Sequence, residues 1–87
     1  MDLELQGKVA LLAGGAGSIG QALAESMTRE GATAVVADLP AMLEHASGPH
    51  RTPLDVTDEA SVRGVVRSVI QEHGRIDILV TLAGVYR

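Results

Sequence analysis

The sequence has no cysteine, tryptophan or phenylalanine, and a single tyrosine. Without cysteine there can be no disulfide framework and no thiolate metal site, which fits a reducing compartment. With aromatics at 1% of residues but hydrophobic residues at 46%, any core must be built from Val, Ile, Leu and Ala. That composition suits parallel strands covered on both faces by helices. Basic residues are also few, 7 against 11 acidic ones, for a formal net charge of −4. This balance argues against nucleic-acid binding through a basic face. Acidic Asp2 and Glu4 near the start do not resemble a signal or transit peptide. No apolar run approaches the roughly 20 residues that cross a bilayer. The expectation is a cytoplasmic protein with no membrane partner.

Eighty-seven residues allow one small domain, which buries only about 60–65% of its unfolded surface and is marginally stable. The chain shows no internal repeat and no low-complexity linker. Lys8 to Ala13 reads as a strand buried on both faces. From Ile19 the apolar positions Ile19, Ala22, Leu23 and Met27 have helical spacing, Glu25 and Arg29 form a favourable i,i+4 pair, and Gly31 is placed for a left-handed cap. Thr33 to Ala37 predicts a second buried strand ending at Asp38. Pro40 can start a short helix through Ala46, and His50 to Leu54 a third strand, with Pro53 favouring an edge position. A long helix is expected from Thr57 or Asp58, with Thr57 as N-cap and Asp58 and Glu59 in the first turn. Val62, Val65, Val66, Val69 and Ile70 form its apolar stripe, and Gly74 ends it. Gly64, off that stripe, has no evident reason. Ile76 to Leu82 is the fourth strand. The alternation β-α-β-(α)-β-α-β predicts an α/β fold: part of a doubly wound, Rossmann-type parallel sheet in the order 3-2-1-4, truncated before the later strands. The first two helices would cover one face and the long helix the other. Ligand would bind in the crevice where the strand order reverses.

The chemistry concentrates in Ala13 to Gly20. A dinucleotide pyrophosphate needs close backbone approach and several N–H donors. Gly14 and Gly15 allow a sharp turn after the strand, Gly17 leaves room for phosphate oxygens, and Gly20 lets the helix pack closely. Amides near Ser18 and Ile19 then face the anion, and the Ser18 hydroxyl can add a donor. Gly15, Gly17 and Gly20 fit G-x-G-x-x-G, a weak signal alone but stronger between a buried strand and a helix. Asp38, eighteen positions after Gly20, can accept from the ribose hydroxyls and would repel a 2′-phosphate. No cation at Ala16, Gly17 or Leu39 reverses that preference, so NAD is expected over NADP. Asp55 could accept from the adenine amino group or simply hold a turn. Leu39, Val56, Ala83 and Gly84 complete the candidate cofactor-binding set. His45, His50 and His73 show no metal-ligand spacing, and His73 reads as a surface group near a helix end. Arg63, Arg67 and Arg75 read as a solvated face. No metal ligand and no catalytic residue is assigned.

Together these residues resemble the short-chain dehydrogenase/reductase family from Gly7 to Gly84. The similarity lies in Lys8 to Leu12, Ser18-Ile19-Gly20, Asp38, Leu54 to Asp58, and Gly74 to Val80. The resemblance implies an NAD(P)-dependent oxidoreductase acting on alcohols or carbonyls. Departures are Ala13 in place of the family's usual Thr, Ser18 in place of a Gly typical of its one-domain branch, and Thr81-Leu82-Ala83-Gly84 for Asn-Asn-Ala-Gly. Gly17 and Gly20 match the spacing of the family's extended branch. The family's catalytic Ser and Tyr-x-x-x-Lys have no counterpart here, since no Lys follows Tyr86. The expectation is therefore residues 1–87 as the N-terminal part of one dinucleotide-binding domain, catalytically incompetent alone, self-associating through the apolar edge of its fourth strand. The alternatives are a non-catalytic NAD-binding or interaction module and an S-adenosylmethionine-binding methyltransferase-type fold.

Overall fold

The computed structural model describes residues 4–82. Ala83, Gly84 and Tyr86 lie outside the described residues. Seven elements follow one another: β1 (Val9–Ala13), α1 (Ser18–Arg29), β2 (Thr33–Asp38), α2 (Pro40–Leu43), β3 (Arg51–Pro53), α3 (Glu59–His73) and β4 (Ile78–Thr81). The strands form one parallel sheet in the order β3-β2-β1-β4, as the alternation predicts. Pro53 sits on edge strand β3, where its missing N–H removes no ladder bond.

Both faces of β1 are buried, and its residues alternate between two clusters. Val9, Leu11 and Ala13 point with Val35, Ala37 and Leu54 toward Val65 and Val69 of α3. Ala10 and Leu12 point with Ala34 and Val36 toward Met27 of α1, Ala46, and the half-buried Leu23 and Leu43. Thus α1 and α2 share one face and α3 takes the other.

Several local expectations are corrected. The inward positions of α1 are Gly20, Leu23, Ala24 and Met27; Ile19, at 75% exposure, and Ala22 face outward. Leu23 and Met27 face inward as predicted, while Gly20 and Ala24 take the places expected of Ile19 and Ala22, because Gly20 rather than a side chain makes the first contact with the layer below. The α3 stripe is also narrower than predicted. Val65 and Val69 reach the sheet and Val66 is half-buried, whereas Val62 and Ile70 are exposed. The N-cap of α3 is Asp58, whose carboxylate accepts from the Ala60 amide at 3.0 Å. Thr57 is not the cap; its amide and hydroxyl both donate to Asp55 Oδ1, at 2.9 and 2.6 Å, in the turn before the helix. Helix α3 ends at Gly74 with φ +87°, and Gly31 after α1 has φ +93°, both in the left-handed region that favours glycine. Gly64 has open space beside it, and nothing in the structure explains it.

Helix α2 stops at Leu43 rather than Ala46, and β3 is limited to Arg51–Pro53. Strand β4 begins at Ile78 rather than Ile76 because Asp77 closes its start differently. The Asp77 amide donates to the Val9 carbonyl at 2.8 Å, and its carboxylate accepts from the Val9 amide at 2.8 Å. The same carboxylate receives Arg75 Nε and Nη2 at 2.9 and 2.6 Å. Arg75 is thus solvent-exposed, as expected, and also serves as a partner of Asp77. These bonds hold the Asp77 carboxyl below the usual carboxylate range, the Val9 amide contributing most and Arg75 next.

Candidate functional site: an open helix end beside two strand-end carboxylates

The reversal of strand order falls beside β1, and the loop leaving that strand carries the site. After Ala13 the chain turns at Gly14, φ +81°. The Gly14 and Gly15 amides both donate to the Ala37 carbonyl, at 2.7 and 3.2 Å, which pins the turn to the end of β2. A Cβ on Gly15 would lie 2.9 Å from Leu12 Cβ. A Cβ on Gly20 would fall 2.5 Å from Gly15 Cα and 2.6 Å from its carbonyl carbon, and against the Gly15 oxygen as well. The first turn of α1 is thus seated directly on the glycine loop, and only glycine permits that distance.

Gly17 is different. It is the N-cap of α1, with extended backbone and no side-chain cap, and a Cβ there would meet nothing within 4 Å. No acidic residue lies in the first turn of α1. Amides in this turn have no acceptor within the helix. The contrast with α3 is instructive, since Asp58 caps that helix and Glu59 follows in its first turn. One helix neutralises its positive end with its own carboxylates. Among the described residues the other leaves that end open, with nothing within 4 Å of a Cβ at Gly17.

A cleft of about 320 Å³ opens there, lined by Gly14, Gly17, Asp38, Leu39, Leu54, Asp55, Val56, Thr57 and Leu82, with Met42 at its margin. The structure therefore brings the glycine loop together with the ends of β2 and β3. Asp38 is half-buried. Its Oδ2 accepts from the Ala16 amide at 3.1 Å and its Oδ1 from the Leu39 amide at 2.8 Å. A carboxylate has about four acceptor positions, so roughly two stay available for hydroxyl donors. Asp55 holds the turn into α3, and the Thr57 hydroxyl and then the Thr57 amide pull its pKa below the usual value. Leu39 and Val56 stand exposed at 48% and 39% on the cleft margin. Ser18 and Ile19 are exposed at the helix end.

Gln21 escapes the sequence reading. Its Nε2 donates to the Ala16 carbonyl at 2.9 Å, and its Oε1 accepts from the Ser47 amide and hydroxyl at 3.1 and 3.2 Å. It ties the glycine loop to the segment before β3. The only sequence signal is its position next to Gly20, too little to single it out. A second hollow, about 230 Å³ on the far side of Gln21, runs from Ala24 to His50; it has neither an open helix end nor a carboxylate at a strand end.

The sheet order, with a glycine loop after β1 and Asp38 at the end of β2, is that of a Rossmann-type fold. The comparisons specify the class further. A family model described as Enoyl-(Acyl carrier protein) reductase matches residues 14–87. A 3-oxoacyl-(acyl-carrier-protein) reductase of Thermotoga maritima is 38% identical over 98% of this chain and 38% of its own length. A D-threitol dehydrogenase of Mycolicibacterium smegmatis is 43% identical over 99% of this chain and 36% of its own. Among solved structures, 2-keto-3-deoxy-D-gluconate dehydrogenase from Streptococcus agalactiae superposes with a TM-score of 0.83 at 35% identity, covering 95% of this chain and 35% of that one. The chain belongs to the short-chain dehydrogenase/reductase family. It spans a little over a third of the length of these relatives. Among the described residues no helix is long and apolar enough to cross a membrane.

Proposed function

We propose that these 87 residues are the NAD-binding part of an oxidoreductase acting on alcohol or carbonyl substrates. The observation that carries this reading is the uncapped N-terminus of α1, with open space over Gly17 and Asp38 across the same cleft. The amides of Ser18 and Ile19 would bind the diphosphate. Asp38 would accept from the adenosine ribose, Leu39 and Val56 would flank the adenine, and Asp55 would lie at its polar edge. Ala83 and Gly84, the remaining members of the expected cofactor-binding set, lie outside the described residues. The cofactor supplies hydride chemistry when bound; the residues of this chain bind it, orient it and select it.

The sequence contains no Tyr-x-x-x-Lys, so we expect no turnover from this chain alone. Leu79 is 61% exposed on β4, whose outer edge pairs with no strand among the described residues. We take that edge as the surface for further strand pairing or self-association. Family membership supports cofactor binding in an oxidoreductase and gives no support to the methyltransferase-type reading.

Titration of the chain with NAD and NADP tests the proposal. NAD should bind at least tenfold more tightly. Asp38→Asn should weaken NAD by roughly fivefold, since exchanging a charged for a neutral acceptor costs about 1 kcal/mol, and should narrow the gap to NADP. Equal or tighter binding of NADP by the native chain would overturn the assignment of Asp38.

A further inference from the structure

At the opposite end of the sheet from the cofactor cleft, the fold assembles three side chains whose sequence spacing gives no hint of one another. We infer that His50, Glu72 and His73 form a binding site for a single borderline divalent cation, Zn²⁺ in the first instance. One ligand atom from each of the three lies within 4.8 Å of the other two. The two imidazoles meet edge to face, ring centroids 5.0 Å apart. Glu72 Oε1 already lies 3.1 Å from His73 Nε2.

The geometry is near that of a metal site. Zinc bonds of about 2.0–2.2 Å in a tetrahedral arrangement put neighbouring donor atoms about 3.3–3.5 Å apart. One pair, at 3.1 Å, is already slightly inside that separation. The others need a closure of a little over 1 Å at most, within reach of a side-chain rotation, and Glu72 is 69% exposed and free to make it. The supports are fixed. His50 precedes β3 and its carbonyl accepts from the Val36 amide at 2.9 Å. His73 closes the last turn of α3, with its side chain only 13% exposed.

The surroundings favour a cation. The carbonyl end of α3 carries partial negative charge. Arg51 also lines the hollow, but its guanidinium is engaged, donating to the carbonyls of Leu43 and Ala46 at 3.3 and 3.0 Å. The His50 ring makes no hydrogen bond among the described residues. The three donors face a hollow of about 240 Å³ that also holds Thr52 and Ser68, so positions remain for water. Two imidazoles and one carboxylate suit zinc and its neighbours, whereas magnesium and calcium require all-oxygen sites. Bound there, the ion would clip the three-residue edge strand β3 to the end of α3.

The test uses the untagged chain, freed of metal with a chelator and titrated with zinc chloride by calorimetry. One zinc per chain should bind with micromolar or tighter affinity, and saturation should raise Tm by at least about 5 °C. His50→Asn and His73→Gln should each weaken binding at least about tenfold, and the exposed Glu72→Gln should weaken it while leaving the metal-free Tm unchanged. His45→Asn should bind like the native chain. Cobalt in place of zinc should give the visible absorption of a nitrogen- and oxygen-ligated tetrahedral site, lost in His50→Asn. Absence of stoichiometric zinc, unchanged affinity in the His50→Asn/His73→Gln double variant, or an equal loss in His45→Asn would overturn the site. None of these outcomes depends on NAD binding.

Discussion

Gly17→Ser separates the structural role of the glycine loop from its binding role. Gly17 has φ −75° and ψ 176°, a conformation open to any residue, so the substitution introduces no backbone strain. Its new Cβ meets nothing within 4 Å, so it introduces no clash. Serine is the better N-cap by a few tenths of a kcal/mol, which for a domain of this size moves Tm upward by about 1–3 °C. Stability should therefore be unchanged or slightly raised. The binding consequence runs the other way. The hydroxymethyl group enters the space in front of the open helix end, and its hydroxyl competes for an amide that would otherwise donate to the diphosphate. A hydrogen bond to a charged group contributes about 1.5–3 kcal/mol, so losing one weakens NAD roughly 10- to 150-fold. Calorimetric titration with NAD, beside thermal unfolding followed by circular dichroism, reads both quantities. A folded Gly17→Ser chain whose NAD affinity stays within about twofold of native would show that the phosphates do not sit over Gly17.

Gly20→Ala should behave in the opposite sense. Its Cβ is driven against the backbone of Gly15, which cannot rotate aside, and overpacking of this kind costs about 1–3 kcal/mol. The gain in helix propensity returns part of that, so Tm should fall by roughly 4–15 °C; an unchanged Tm would show that loop and helix can part freely. Asp77 makes stability depend on pH. Its folded pKa lies below the unfolded value of about 4 because the Val9 amide and Arg75 bind its ionised form. The unfolded chain therefore takes up more protons as pH falls, so this stabilisation is complete above about pH 4 and is lost below it. Asp55 acts in the same direction through Thr57. Asp77→Asn should flatten the fall of Tm between pH 4 and pH 2 compared with the native chain, and an unaltered profile would remove Asp77 from the account.

The sheet order and the cleft were legible because both rest on short-range patterns. Uninterrupted apolar runs mark strands covered on two faces, and β1 and β2 fulfil that reading along their whole length. The glycine spacing is a steric requirement written directly into residue type, and Asp38 is fixed by its place at a strand end. What the sequence did not disclose depends on competition between neighbours. Thr57 and Asp58 are both good N-caps in isolation. The cap is Asp58, while Thr57 is held in the preceding turn by its amide and hydroxyl bonds to Asp55. Asp38 reads as a ligand for ribose alone, yet its bond to the Ala16 amide makes it part of the loop it faces.

The remaining misses come from which surfaces the sheet presents. A helix over a broad sheet would bury all five apolar positions of α3. Here Val65 and Val69 face the buried side chains of β1 and β2, while Val62 and Ile70 form with the half-buried Val66 a second row along one open side of the helix. The His50–His73 contact is further still from sequence logic. It requires knowing that β3 starts and α3 ends at the same edge of the sheet, a consequence of parallel topology. In such a fold every strand start lies beside helix ends, so residues far apart in the chain meet there as a rule. The glycine loop sits at the opposite edge, where strand ends meet helix starts, and its positive helix terminus suits an anion. By the same geometry the edge that gathers His50, Glu72 and His73 presents a negative helix terminus, and a site there should favour a cation.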